Sequence, residues 1–188
     1  MEPGSVAGMR LVLASASPRR AALLRAAGYA FDVRPSVARE WPYPGGDPAA
    51  YAEALARAKV AAVDGELVLG ADTVVVVDGD VLGKPADTAD AATMLRRLSG
   101  RAHEVVTGVA VRRGSRVRAA SARARVTFRE LTEREIGEYA AGGEPLDKAG
   151  GYAYQGGGGA FVTALEGDPD TVIGLPLRVV RTLLPDHP

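Results

Sequence analysis

The fold is decided by the stretch LVLGADTVVVVDGDVLGKP, residues 67–85. Its apolar, β-branched first half is typical of a central strand, and Asp78-Gly79 is a strong signal for a tight hairpin turn. One carboxylate, Asp72, stands inside the apolar run. An ionised carboxylate in the middle of a sheet is costly unless another group pairs with it, so we expect the rest of the chain to supply a partner.

The composition excludes several classes of protein and of site. A chain of 188 residues is long enough for one compact α/β domain, and its 23 acidic and 23 basic residues create no overall field for nucleic acid or an anionic membrane. There is no cysteine, which excludes disulfides and thiolate metal sites, and two histidines disfavour a histidine-built site. We therefore expect any metal to be a hard cation held by carboxylates.

We expect no targeting peptide at the N-terminus and no membrane span. The start, MEPGSVAGMR, resembles neither a signal peptide nor a transit peptide, and no apolar run reaches the ~18 residues of a membrane span. We expect a disordered leader over residues 1–9, a single α/β domain over residues 10–184, a frayed tail over residues 185–188, and a cytoplasmic protein.

A strand, a polar turn and a helix start follow one another near the N-terminus. After the apolar residues 11–14, Ser17 is a good N-cap and Pro18 a good first helical residue. Arg19 and Arg20 then occupy the first turn, where the helix dipole disfavours cations. The pair is explained if an anion binds there, and two solvated arginines are the alternative. The adjoining Ser15 lies where α/β folds bind ligands, which favours phosphate.

Two further charged residues come before the central strand. Residues 32–47 are rich in proline and glycine and predict a loop, in which Glu40 is the only glutamate. Asp47-Pro48 opens a helix that we expect to reach residue 63. Lys59 lies about 40° from Leu55 around that helix, on or beside its buried face. It is either a lysine whose ammonium reaches solvent or the counter-charge of a buried carboxylate or phosphate.

The second half of the chain predicts a helix, a hairpin, a second helix and a loop. We expect a helix over residues 88–98, two strands around residues 113–115, and a helix that begins at the capping box Thr132-x-x-Glu135. His103 fits a structural strand residue better than a catalytic base. Residues 142–162 are too rich in glycine to pack a core, so we expect a long shaped loop, then a strand over residues 160–165 and a closing helix over residues 174–184.

Taken together, these motifs resemble the Maf family of nucleoside triphosphate pyrophosphatases. The matching segments, in order, are SASPRR (15–20), GADTVV (70–75), GKP (83–85), SG (99–100) with His103 and Val105, EPLDKAG (144–150), YQG (154–156) and GLP (174–176). The resemblance covers residues 10–184 and implies a mixed, twisted central sheet flanked by helices, with an active-site cleft between two lobes, in a homodimer. Asp147-Lys148 followed by Gln155 is similar to the subgroup that acts on dTTP and UTP.

The resemblance also implies a reaction. Family members hydrolyse nucleoside triphosphates between the α and β phosphates, with Mg²⁺ or Mn²⁺, in a house-cleaning role. Asp72 matches the family's proton acceptor, and Glu40 and Asp72 match its metal-linked carboxylates. The substrate-binding positions that match are Ser15, Arg19, Arg20, Lys59, Thr73, Lys84 and Gln155.

Other functions remain open at this point. One is a regulatory binding protein of the same fold, since the family is also linked to inhibition of septum formation, and another is the subgroup that acts on 7-methyl-GTP. A nucleic-acid-binding module is disfavoured by the balanced charge and the few aromatic residues. Two positions depart from the family pattern, because Arg39 stands where the family has aspartate and Tyr154 where it has an aliphatic residue.

Overall fold

The computed structural model describes residues 9–184, which form a mixed seven-stranded sheet flanked by helices. The strands are β1 (Leu11–Leu13), β2 (Phe31–Val33), β3 (Leu67–Val77), β4 (Asp80–Leu82), β5 (Ala102–Arg113), β6 (Arg116–Phe128) and β7 (Val162–Glu166). The α-helices are α1 (Pro18–Ala26), α2 (Pro48–Ala61), α3 (Thr88–Leu98), α4 (Glu133–Ala141), α5 (Pro169–Ile173) and α6 (Leu177–Leu183). Three short 3₁₀ helices cover Glu144–Asp147, Ala149–Gly151 and Gly157–Phe161.

The sheet combines parallel and antiparallel pairs. Its strand order is β2-β1-β3-β5-β6-β7, and β4 pairs with β3. Strand β1 is parallel to β2 and to β3, with Leu11 opposite Leu67, whereas the β3–β4 and β6–β7 pairs are antiparallel. The predicted mixed α/β fold and the antiparallel return after Asp78-Gly79 are confirmed.

The chain divides into two compact units. Of the described residues, the first unit contains 9–72, 107–122 and 174–184, and the second contains 73–106 and 123–173. The first unit packs β1, β3 and α1 around a core that includes Leu11, Leu24 and Leu69. The second packs α3, α4 and the strand ends around Leu95 and Phe128. A single domain over residues 10–184 stays a prediction, as does a cleft between lobes.

Helices α1 to α4 begin where the sequence predicts. Ser17, Asp47, Asp87 and Thr132 are the N-caps of α1, α2, α3 and α4, and each accepts a hydrogen bond from a backbone N–H of the first turn. Proline follows the cap of both α1 and α2. Among residues 9–184, no helix is both long enough and apolar enough to cross a bilayer.

Other elements differ from the expectations. Strand β2 and helix α5 were not predicted. The closing helix was expected over residues 174–184, but α6 begins only at Leu177. The prediction that the glycine-rich segment cannot pack a core is wrong, since Tyr152 and Phe161 are buried there. Glycine allows the tight 3₁₀ turns that bring these two rings inward. Strand β7 begins only at Val162, because the residues before it form a 3₁₀ helix. The predicted leader, apart from Met9, and the predicted tail lie outside the described residues.

Candidate active site

Asp72 lies in the middle of β3 and is 7% exposed. Its Oδ1 accepts a short hydrogen bond from the Nζ of Lys59, which comes from the last turn of α2. The Lys59 side chain is itself 13% exposed, so the pair is largely withdrawn from water. The carboxylate therefore has the partner that the sequence led us to expect.

A second carboxylate reaches the same lysine. Glu40, on the loop that follows β2, places its Oε1 3.0 Å from Lys59 Nζ, and 43% of its side chain is exposed. One ammonium thus contacts two carboxylates, one buried and one open to solvent. We call Lys59, Asp72 and Glu40 the lysine–carboxylate cluster.

Two glycines allow α2 to lie close enough to the sheet to build this cluster. A Cβ on Gly70 of β3 would lie 2.9 Å from Val60 Cγ1 and 3.4 Å from Lys59 Cβ. A Cβ on Gly108 of β5 would lie 2.4 Å from the carbonyl carbon of Ala52. Real Cβ atoms do not approach so closely, so either side chain would push α2 away from its strand. Because Gly70 has no side chain, α2 lies close enough to β3 for Lys59 to reach Asp72.

The predicted strand–turn–helix element places Arg20 and Ser15 in the same unit. Arg20 Nη1 donates to Ser15 Oγ at 3.3 Å, and its Nε donates to the carbonyl oxygen of Gly174 at 2.7 Å. Ser15 is buried and also accepts from the N–H of Ser17 at 3.2 Å. Ser15 and the Gly174 carbonyl therefore fix the direction of the Arg20 guanidinium.

The carboxylates of the lysine–carboxylate cluster also affect the pKa of Arg20. Burial lowers the pKa of Arg20, and the negative charge of Asp72 opposes that effect. Arg19 lowers the pKa of Arg20 further, while Glu40 raises it. The arginine pair, Asp72 and Glu40 therefore share one electrostatic environment, in which an anionic ligand would meet several cations.

Tyr51 is a member of this region that the sequence did not assign to the site. Its hydroxyl donates to the carbonyl oxygen of Trp41 at 2.5 Å, and burial, Asp72 and Glu40 all raise the pKa of Tyr51. The rings of Trp41 and Tyr43 pack edge-on against Tyr51, with centroids 6.3 Å and 5.2 Å away. We call Trp41, Tyr43 and Tyr51 the aromatic trio; its signal in the sequence is two aromatic residues inside an otherwise polar loop.

Three predicted site residues belong to the second unit. Thr73 follows Asp72 in β3 and is half-buried, and Lys84 is exposed after β4. Gln155 is exposed in the glycine-rich segment. The residues that the structure brings together, all within the first unit, are Ser15, Arg20, Glu40, Lys59 and Asp72. A role in substrate binding for Arg19, Thr73, Lys84 and Gln155 stays a prediction from the sequence.

The second unit buries a different polar pair. His103 is 3% exposed, and its Nε2 lies 2.8 Å from the hydroxyl of Tyr152. Burial lowers the pKa of His103 to about 4. The imidazole packs edge-on against the rings of Phe128 and Tyr152. A neutral histidine within an aromatic core fits the structural role that the sequence indicated.

The carboxylates fit a hard divalent cation in their chemistry. Among residues 9–184, no group of three or more histidine, aspartate or glutamate side chains is arranged to hold a metal ion. Mg²⁺, however, is usually held by one or two carboxylates together with water and substrate phosphates. Glu40 and Asp72 already converge on one positive charge, that of Lys59. This donor set suits a cation that arrives with a triphosphate better than one held by the protein alone.

Comparison with known proteins identifies the family of this chain. The family described as Maf-like protein matches residues 10–187. A "dTTP/UTP pyrophosphatase" of Anaeromyxobacter sp. (strain Fw109-5) is 54% identical over 93% of this chain and 88% of its own length. Proteins of the same name from Anaeromyxobacter dehalogenans (strain 2CP-C) and Moorella thermoacetica are 52% and 53% identical, each over 93% of this chain and 92% and 93% of their own lengths. The chain belongs to the Maf family.

Proposed function

We propose that this protein is a nucleoside triphosphate pyrophosphatase that hydrolyses dTTP and UTP to the nucleoside monophosphate and pyrophosphate. The observation that carries the proposal is the buried carboxylate of Asp72, paired with Lys59 beside Glu40 and Arg20. The names of relatives about half identical to this chain support the choice of substrate.

Asp72 is the general base of the proposed reaction. A water molecule attacks the α phosphorus and gives its proton to the Asp72 carboxylate, while the bond from that phosphorus to the bridging oxygen breaks. The bridging oxygen leaves with pyrophosphate. Lys59 holds the Asp72 carboxylate in one orientation through its short hydrogen bond, so the base is positioned before substrate binds.

Cationic side chains of the same unit meet the charge of the triphosphate. The guanidinium of Arg20, oriented by Ser15 and the Gly174 carbonyl, contacts phosphate oxygens, which an arginine fork suits. Glu40 and Asp72 would hold a divalent cation such as Mg²⁺ or Mn²⁺, whose charge favours the departure of pyrophosphate. Lys59, whose ammonium contacts both carboxylates, would also donate a hydrogen bond to a phosphate oxygen.

Pyrophosphate release from a panel of triphosphates tests the proposal. The panel contains dTTP, UTP, methylated pyrimidine triphosphates, the purine triphosphates and 7-methyl-GTP, each with Mg²⁺ or Mn²⁺. We expect dTTP and UTP to be the best substrates. The Asp72→Asn variant, which keeps the shape of the buried side chain, is expected to lower kcat by about 10²- to 10⁴-fold, the usual contribution of a general base.

Asp64→Asn is the matched control, because Asp64 is exposed just before β3. It is expected to leave kcat unchanged. Equal activity of wild type and Asp72→Asn would contradict the assignment of the base. Preference for 7-methyl-GTP would place the protein in the other subgroup, and no release from any triphosphate would favour a regulatory binding protein.

We further propose a cytoplasmic homodimer, and light scattering on the purified protein tests its oligomeric state.

A further inference from the structure

Trp41 is the single tryptophan of the chain, and the proposed reaction does not use it. It immediately follows Glu40 in the loop after β2, and 39% of its surface is exposed. A tryptophan is the largest apolar side chain, and leaving so much of it in water is unfavourable unless something covers it. The residues around Trp41 indicate which kind of ligand would cover the exposed indole.

The ring is held in place from one side. The Trp41 carbonyl accepts from the Tyr51 hydroxyl at 2.5 Å, and the two rings meet at 80° with centroids 6.3 Å apart. Tyr43, two residues further on, packs on Tyr51 as well, and its own hydroxyl donates to the Gly46 carbonyl at 2.5 Å. The aromatic trio thus anchors a proline- and glycine-rich loop to helix α2, so the exposed part of the indole is presented by a fixed backbone.

The same backbone is fixed on its other side by charge. Glu40 reaches Lys59 Nζ at 3.0 Å, and the carboxylates of Asp72 and Glu40 both influence the Tyr51 hydroxyl. The exposed indole therefore lies one residue from a carboxylate of the lysine–carboxylate cluster, where the phosphates of a nucleotide are proposed to bind. A ligand with charged phosphates at one end and a flat apolar ring at the other matches this combination of surfaces.

We propose that Trp41 stacks on the nucleobase of the bound nucleotide. This inference rests on the proposed function, since it takes the ligand to be a nucleoside triphosphate. Stacking of a base on an aromatic side chain depends weakly on which base is present, because every base has a π face. Trp41 accordingly supplies affinity for both pyrimidine substrates and leaves the choice between bases to hydrogen-bonding groups.

The fluorescence of the wild-type protein gives a direct test, because all indole emission comes from Trp41. The full chain with Mg²⁺ is titrated with α,β-imido-dTTP, which resists hydrolysis, and with inorganic tripolyphosphate, which has no base. We expect the first to quench the emission and the second to leave it unchanged. An unchanged emission at concentrations where calorimetry shows the imido nucleotide bound would overturn the inference, and so would equal quenching by both ligands.

Steady-state kinetics on three variants provides the second test. Trp41→Ala is expected to raise KM for dTTP and for UTP by about tenfold, in the range measured for loss of one base–aromatic stack, while Trp41→Phe stays near wild type. Val37→Ala is the control, since Val37 is an apolar residue of the same loop with 88% of its surface exposed. Equal KM values for wild type and Trp41→Ala would mean that Trp41 is only a surface residue.

The two tests separate this inference from the proposed function. Wild-type protein that hydrolyses dTTP but shows no base-dependent quenching would keep the function and remove Trp41 from substrate binding. Base-dependent quenching without hydrolysis would keep Trp41 as a base-binding residue and remove the reaction. Failure of every nucleotide to bind would overturn both.

Discussion

Each of the two units buries an ionisable side chain in a strand, and the two side chains are accommodated in opposite ways. In the first unit Asp72 pairs with Lys59, with Glu40 as a second negative neighbour. In the second, His103 is hydrogen-bonded to Tyr152 among aromatic rings, and burial lowers the pKa of its imidazole to about 4. One unit therefore keeps a charged cluster and the other keeps its histidine neutral.

We interpret the pair in the first unit as serving the proposed chemistry and the pair in the second unit as serving stability. A buried ion pair recovers little more than the cost of removing both charges from water, so it is a weak source of stability. In the first unit a third charged group, Glu40, contacts the pair and is open to solvent. In the proposed reaction the two carboxylates would also hold a bound cation. In the second unit the His103 imidazole packs against the rings of Phe128 and Tyr152, and its protonation would place an uncompensated charge in a core.

Removing Lys59 has the largest expected effect on this contrast. Lys59→Gln leaves the buried Asp72 carboxylate without its ammonium partner, so we expect the free energy of unfolding to fall by about 3–5 kcal/mol and pyrophosphate release to be lost. The carboxylates of Asp72 and Glu40, which no longer face the Lys59 ammonium, should then bind Mn²⁺ in the absence of nucleotide more tightly than in the wild type. Thermal unfolding with and without Mn²⁺ measures the stability and the Mn²⁺ binding, because a bound ion stabilises the folded state, and an assay with dTTP measures pyrophosphate release.

Arg57→Gln is the control for that experiment. Arg57 is an exposed cation two residues earlier on α2, and its guanidinium contacts a backbone carbonyl, that of Val117 at 3.4 Å. It should leave the response to Mn²⁺ as in wild type. If Mn²⁺ stabilised the Lys59→Gln protein no more than wild type, the carboxylates would not be cation ligands. The contrast between the two units would then concern stability alone.

His103 gives the second largest effect, and it depends on pH. Since burial lowers the pKa of the folded-state imidazole from 6.5 to about 4, the unfolded chain binds a proton before the folded protein does. The histidine's contribution to stability is therefore complete above pH 6.5 and is lost as the pH falls to about 4. The shift corresponds to about 3 kcal/mol over that window.

His103→Gln should remove this part of the acid sensitivity. Glutamine can still hydrogen-bond to the Tyr152 hydroxyl but does not titrate, and His187 is present in both proteins and cancels in the comparison. Urea unfolding of both proteins at a series of pH values between 7 and 4 measures the difference. Equal loss of stability in the two proteins would show that His103 is not the group that is kept neutral.

Much of the fold follows from local sequence, and the parts that do not are held by distant contacts. Strand β3 is recognisable from its long apolar run, and the caps Ser17, Asp47 and Thr132 mark helix starts through their own side chains. Strand β2 has only three residues with Asp32 at its centre, so it carries no periodic pattern. It exists because β1 pairs with it. The burial of Tyr152 and Phe161 likewise depends on α3, α4 and β6, far along the chain.

The candidate site could likewise be predicted only in part. The need of Asp72 for a partner follows from one carboxylate in an apolar strand, and the position of Lys59 on its helix made it a candidate. The contact of Glu40 with that lysine and the part played by Tyr51 could not be predicted from the residues alone, because they depend on how a loop folds over α2. The role of Gly70 is also a matter of distance between a helix and a strand, which local sequence does not contain.

The smallest expected effect tests whether stability in the second unit is separable from catalysis in the first. Thr132 and Glu135 form a capping box, in which Thr132 Oγ1 accepts from the Glu135 N–H at 3.2 Å and Glu135 Oε2 accepts from the Thr132 N–H at 2.9 Å. Thr132→Ala removes the first of these bonds and should lower the free energy of unfolding by about 1 kcal/mol, with kcat/KM for dTTP unchanged.

Thr93→Ala is the matched control for the cap. Thr93 is an exposed threonine inside α3 whose hydroxyl donates to the Ala89 carbonyl, and alanine is a better residue for a helix interior, so this variant should be as stable as wild type or slightly more. Urea unfolding and pyrophosphate release on both variants complete the test. A fall in kcat/KM for Thr132→Ala at a temperature where the protein remains folded would mean that the packing of α4 affects the reaction. The neutral core of the second unit would then be part of the catalytic machinery as well as its support.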